Sequence, residues 1–360
     1  MNIADKKVWA WMAGKTTIAP EQWDHYFKNA ANAGIDAILL ECHGGYPEVL
    51  GDSAAFRDSA AIKIIETALP YADKYGIELH AWIWTTNRTE MSLRTAHPDW
   101  YQVNALGESC LDIKLYNREH YRWLCPSRPE TIGYLKDRVA ELAEIKGLAG
   151  IHLDFIRYPD AILPYGLHES RNVVQDKVYP QWDFCYCDVC RKNFKDETGI
   201  DPMDLKDPTS NQQWMQYRWN ALANVASEVC KEIKSHNKVS SVAVFATPEE
   251  SKKLVRQDWV NFKNVDVFFP MIYHTFYDWP DEMVYTATKE GVDALKLNNN
   301  TGYLCSGLFV GHVPQDRITE FFTYAREGGS KGICLFSLEG IDRQEGYWDS
   351  LKEAIEEYKH

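Results

Sequence analysis

The run Gly147-Leu-Ala-Gly-Ile-His-Leu-Asp-Phe-Ile-Arg-Tyr-Pro159 delivers Asp154 at the end of an apolar stretch and then breaks off through Arg157, Tyr158 and Pro159. Such a stretch reads as a parallel strand covered on both faces. A carboxylate where that strand ends is costly to bury, so it implies a partner such as Arg157 or a chemical task. The two-residue period of a strand puts His152 on the same face, one level below. Other acids stand at comparable points: Glu41 after Ala37-Ile-Leu-Leu, Glu249 and Glu250 after Phe245-Ala-Thr-Pro, and Glu339 after Ser337-Leu. Acids at several neighbouring strand ends could supply an acid/base or nucleophile/acid pair. Asp154 and Glu249, on adjacent strands, are the pair this arrangement favours. The competing reading of Glu249 and Glu250 is the acidic first turn of a helix, stabilised by the helix dipole.

Aromatic and cationic side chains flank these ends. His80, Trp82 and Trp84 share one strand face, Tyr273 and His274 follow another strand, and His312 follows a third. Trp and Tyr rings at such positions suit the apolar faces of sugar rings, while acids and histidines suit the hydroxyls. The expected substrate-contacting set is Glu41, His80, Trp84, His152, Arg157, Tyr273, His274 and Glu339. Trp82, deeper in its strand, reads as core packing. The segment Cys42-His-Gly-Gly-Tyr46 reads as a small-residue turn that lets a ligand approach closely.

Elsewhere, Cys185, Cys187 and Cys190 can converge on one tetrahedral ion, with Cys125 as fourth ligand. Four thiolates leave no open position for chemistry, so zinc here would be a structural staple and not a cofactor for catalysis. Free thiols are the alternative.

Strand candidates fall at Val8–Met12, Asp36–Glu41, Ile77–Trp84, Gly150–Asp154, Val239–Ala246, Val265–Ile272, Tyr303–Phe309 and Gly332–Ser337. Amphipathic segments separate them, with Pro near their starts and Gly past their ends. Eight strands alternating with helices predict an α/β fold of the closed (β/α)8 barrel type, a single domain over residues 1–360. A doubly wound open sheet is the rival, but no glycine-rich phosphate turn follows the first strand. Residues 85–128 and 155–208 are long insertions after strands three and four, on the face where such barrels carry their sites.

Composition agrees with a soluble globular chain of 360 residues, 45% hydrophobic and 25% charged. The 13 Trp, 20 Tyr and 14 Phe exceed what a core needs, so some rings should line a ligand surface. A net charge of -13 argues against nucleic acid and anionic membranes. A polyanionic substrate would need a local basic patch. No apolar run is long enough to span a bilayer. The N-terminal residues lack the hydrophobic region of a signal peptide, which predicts a cytoplasmic protein, or a periplasmic or secreted one if a leader has been removed. Nine cysteines at irregular spacing do not form a disulfide framework.

The motifs Ile151-His-Leu-Asp-Phe-Ile-Arg-Tyr-Pro159, His97-Pro-Asp-Trp100, Trp123-Leu-Cys-Pro-Ser127, Phe245-Ala-Thr-Pro-Glu249, Val255-Arg-Gln-Asp-Trp259 and Phe269-Pro-Met-Ile-Tyr-His274 resemble those of the family 10-like glycoside hydrolases, over nearly the whole chain. The resemblance implies a (β/α)8 barrel that cleaves glycosidic bonds in oligo- or polysaccharides. A more distant likeness to α-amylase-type barrels implies Asp154 as nucleophile and Glu249 as acid/base. The sequence departs from that pattern at strand seven, where Gly311-His312 stands in place of an Asp, so a third carboxylate would be Glu41 or Glu339. The cysteine spacing is similar to that of zinc-bearing β-galactosidase barrels, whose catalytic glutamates do not map onto this chain. The alternative function is a non-hydrolytic glycan-binding barrel. A carboxylate separation beyond about 10 Å would favour it. A metal-dependent barrel hydrolase is disfavoured because Val8-Trp-Ala-Trp-Met12 lacks a His-x-His pair.

Overall fold

The computed structural model describes residues 5–44 and 60–360. Eight parallel strands close into a barrel in sequence order. They are β1 (Lys7–Ala13), β2 (Ala37–His43), β3 (Glu78–Trp84), β4 (Gly150–Asp154), β5 (Val239–Phe245), β6 (Val267–Met271), β7 (Tyr303–Phe309) and β8 (Gly332–Phe336). β8 returns to pair with β1, for example Val8 with Ile333. The architecture is therefore the (β/α)8 barrel expected from the alternation of apolar runs and capped helices.

The strands are apolar almost throughout because each is sandwiched between the helical shell and the barrel lumen. Alternation in β1 makes the division plain: Val8, Ala10 and Met12 join the layer under the helices, whereas Trp9 and Trp11 turn into the lumen beside Trp82, Val239 and Phe269. The lumen is a filled core, as barrels of this size require. Trp11 Nε1 donates to His152 Nε2 at 3.0 Å, and the other ring nitrogen of His152 lies 3.0 Å from Ser241 Oγ. An indole N–H can only donate, so Nε2 accepts and Nδ1–H donates to the serine. Burial and the neighbouring His80 keep His152 well below the ordinary histidine range, hence neutral. His80 packs edge-on against Trp9 at 4.9 Å in the same plug. A Cβ at Gly150 would lie 2.3 Å from His80 Nδ1, so that strand position admits no side chain.

The insertions after β3 and β4 carry structure of their own and hold each other. Short antiparallel bridges join Asn87 to Trp123 and Tyr101 to Leu124 within the first, and Asn104 to Phe184 between the two. Asp183 of the second is buried against Arg218 at 2.7 Å, from helix Gln212–Ser235, and Arg256 at 3.1 Å. Although burial opposes it, those two guanidinium groups hold the Asp183 carboxyl below its ordinary range. The charged network fixes the insertion to the helical shell, and both insertions stand over the C-terminal mouth of the barrel. Among the described residues, no helix is long and apolar enough to cross a membrane.

Candidate active site

Strand direction gathers the acids at one end of the barrel. Asp154 is the last residue of β4, beside Trp84, the last residue of β3. Glu41 ends the regular part of β2, next to Trp82, before the register shifts at His43. Glu339 lies in the short helix Leu338–Asp342 that follows β8. All three line one cavity of about 440 Å³ with Trp82, Trp84, Arg157 and Tyr273. That volume lies within the range of small-molecule sites.

Each acid has a different setting. Asp154 Oδ1 accepts the Phe155 backbone N–H at 2.6 Å and Oδ2 accepts Trp82 Nε1 at 3.1 Å. Burial nonetheless lifts its carboxyl to about 6, with Phe155, Arg157 and Trp82 acting in the opposite sense. Glu41 is raised further, to about 8, first by burial and then by the charge of Asp154, while the Trp84 indole opposes the rise. Glu339 Oε1 accepts the Ala13 backbone N–H at 2.7 Å, and burial raises its carboxyl as well. At neutral pH, Asp154 is mostly ionised and Glu41 mostly protonated. Two neighbouring acids whose environments separate their pKa values are equipped for opposite roles in proton transfer.

The walls are aromatic. Trp84 lies against Phe155 at 4.2 Å and meets His120 edge-on at 5.5 Å. Tyr273 lies 5.7 Å from Phe336, its hydroxyl kept protonated chiefly by burial. Arg157 projects over Trp123, Phe155 and Phe245 with its charge set against Asp160 at 3.1 Å.

Four residues expected at this site lie elsewhere. Glu249 is exposed in the first turn of helix Pro248–Val255, with Thr247 as its cap, and is not part of the cavity wall. The β5 end is represented there by Phe245. The adjacent-strand pair with Asp154 is therefore not formed, because β5 ends before Glu249 and Pro248 starts a helix. His80 and His152 face inward but sit one or two levels too deep, in the plug. His274 falls beyond β6 in a 3₁₀ turn and points toward Asp281, 3.1 Å away. Trp82 departs from its expected role in the other direction: it packs in the lumen and also donates to Asp154. Gly44 makes room for Glu41, since a Cβ there would lie 2.1 Å from Glu41 Oε1. Gly45 and Tyr46 of that turn lie outside the described residues. No local pattern marks the cavity-lining Tyr116, Arg118, His120 and Arg171, which come from short turns and connecting segments of the two insertions.

Where the two insertions meet, the Sγ atoms of Cys125, Cys185, Cys187 and Cys190 all lie within 4.8 Å of one another and are buried. Sγ of Cys125 is 3.4 Å from that of Cys190 and 3.5 Å from that of Cys187. Tetrahedral zinc with sulfur at about 2.3 Å places its ligands about 3.8 Å apart. A buried cluster of thiols with none joined as a disulfide fits a metal.

A family model described as "Putative glycosyl hydrolase domain" matches residues 90–301. No curated protein matches the sequence. Among solved structures, a β-galactosidase from the haloarchaeon Halorubrum lacusprofundi superposes with a TM-score of 0.66 at 13% identity, over 98% of this chain and 58% of the other. The catalytic domain of β-amylase from Paenibacillus polymyxa gives 0.65 at 12% identity over 100% of both chains. The PgaB (BpsB) glycoside hydrolase domain from Bordetella bronchiseptica gives 0.61 at 12% identity over 98% and 99%. At these identities the likeness is one of fold, and the chain spans 58% of the β-galactosidase's length.

Proposed function

This chain belongs to the glycosyl hydrolase domain family matched above, and from that premise we propose that it hydrolyses O-glycosidic bonds in an oligo- or polysaccharide, with Asp154 and Glu41 as the working carboxylates. The observation that carries the reading is the split between them: one cavity is lined by a buried acid raised to about 6 and another raised to about 8. Glu41, protonated at neutral pH, would donate to the departing glycosidic oxygen. Asp154, ionised and oriented by Phe155 and Trp82, would stand at the anomeric carbon as nucleophile, or direct water there as base. Glu339 braces the end of β1 and adds a third acidic oxygen pair to the floor. Trp84, Phe155 and Tyr273 would cover the sugar faces.

The likeness to family 10-like glycoside hydrolases forms part of this proposal, and so does zinc as the ion of the four-cysteine cluster. Its ligands join Cys125 of the first insertion to three cysteines of the second. Zinc there would fix one wall of the cavity and take no part in bond cleavage.

Hydrolysis of aryl glycosides and a polysaccharide panel, compared between wild type and Asp154→Asn, tests the reading. Turnover that the variant loses supports it. Glycan binding without turnover in wild type would favour a non-hydrolytic glycan-binding barrel.

A further inference from the structure

Two guanidinium groups line the cavity with no carboxylate set against them. Arg118 comes from the insertion after β3 and Arg171 from the insertion after β4. Among the described residues neither side chain has an ion pair or hydrogen bond. Arg157 in the same cavity is different, since Asp160 and the Tyr158 carbonyl at 3.0 Å engage its guanidinium. His120 records the surplus of charge around it. Burial, then the charges of Arg118, Arg122 and Arg171, push its imidazole down to about 4.

The surplus stands out against the rest of the molecule. A chain of net charge -13 repels anionic glycans over most of its surface. Glu41 on the cavity floor stays mostly protonated at neutral pH, which removes one of the negative charges that would otherwise offset the two arginines. A neutral sugar has no group that needs two bare guanidinium groups. A carboxylate or sulfate matches the planar fork of arginine with paired hydrogen bonds.

Resting on the glycosidase reading, we propose that the cavity selects a glycan bearing an oxyanion substituent, a uronate carboxylate or a sulfate ester, clasped by Arg118 and Arg171 while the neighbouring sugar lies over Asp154 and Glu41. The two arginines are specificity residues and touch no reacting atom. Because they come from different insertions, the clasp exists only when the two insertions are held side by side.

The test uses the full chain carrying Asp154→Asn, presented with uronate-bearing oligosaccharides, their carboxyl-reduced forms, sulfated oligosaccharides and their desulfated forms, at low salt. One charged class should bind about tenfold or more tighter than its neutral counterpart, and whichever class does so identifies the oxyanion. Adding Arg118→Gln and Arg171→Gln should erase that preference, with the thermal midpoint unchanged as the control for folding. Equal binding of charged and neutral forms, or a preference that survives both substitutions, overturns the proposal. Wild-type cleavage of neutral glycans without preference would overturn it and leave the glycosidase reading standing. A wild type that neither binds nor cleaves any glycan overturns both.

Discussion

Trp82 donates its indole N–H to Asp154 Oδ2 at 3.1 Å, from one strand to the next and from one level of the lumen to the level above. The bond favours the ionised acid. Trp82→Phe keeps most of the ring and removes the donor, so the acidic limb of the pH–rate profile should move to higher pH. An unmoved limb would show that Asp154 does not govern it.

Asp154→Asn should lower kcat by roughly a thousandfold or more, as expected for loss of a nucleophile or base. The thermal midpoint should stay within a few degrees, because relief of a buried charge offsets the hydrogen bond that one amide nitrogen cannot accept. Glu249→Gln, on an exposed helix turn, should leave kcat within about twofold of wild type. A large loss from Glu249→Gln would return that residue to the site.

The plot of kcat/KM against pH should be bell-shaped. It rises as Asp154 ionises near a pKa of about 6 and falls as Glu41 loses its proton near about 8. Glu41→Gln should remove the alkaline limb along with most of the activity on substrates with poor leaving groups. Activated aryl glycosides, which need less proton assistance, should be spared in part.

Stability should follow the same two groups. Both pKa values are higher in the folded chain than in the unfolded one, so between about 4 and 8 the folded state binds more protons. Raising pH therefore costs stability across that window, and the loss levels off above about 8. Thermal midpoints measured from pH 4 to pH 9 should show this contribution as the part of the slope that Glu41→Gln removes. An identical slope in the variant would mean that Glu41 titrates normally.

Metal analysis should find about one zinc per chain, and Cys125→Ser should lower zinc affinity and loosen residues 85–128 and 155–208 before the barrel melts. Hydrogen exchange on chelator-treated protein reads this directly. Uniform protection with and without metal would remove the staple.

All eight strands were legible as apolar runs because a strand buried on both faces needs no polar alternation to mark it. The acids Asp154, Glu41 and Glu339 were legible because they end such runs. Depth was not. His80 and His152 share the inward face with Trp84 and Asp154, and only barrel stagger decides which level reaches the cavity. Glu249 carried a warning in Thr247 and Pro248, a cap and a first-turn residue, which is a helix start. Arg118, His120 and Arg171 sit in irregular insertions whose packing depends on distant contacts, and no local pattern marks them.

The bridge from Asn104 to Phe184 and the cluster of Cys125 with Cys185, Cys187 and Cys190 have a consequence for recombination. A chimera with a crossover between residues 128 and 155 would inherit one half of each from different parents. The barrel strands on either side would still pair, yet the wall of the cavity would be mismatched. Crossovers placed after residue 208 and before the helix Gln212–Ser235 keep both insertions from one parent, so the two segments pass between homologues as one heritable block.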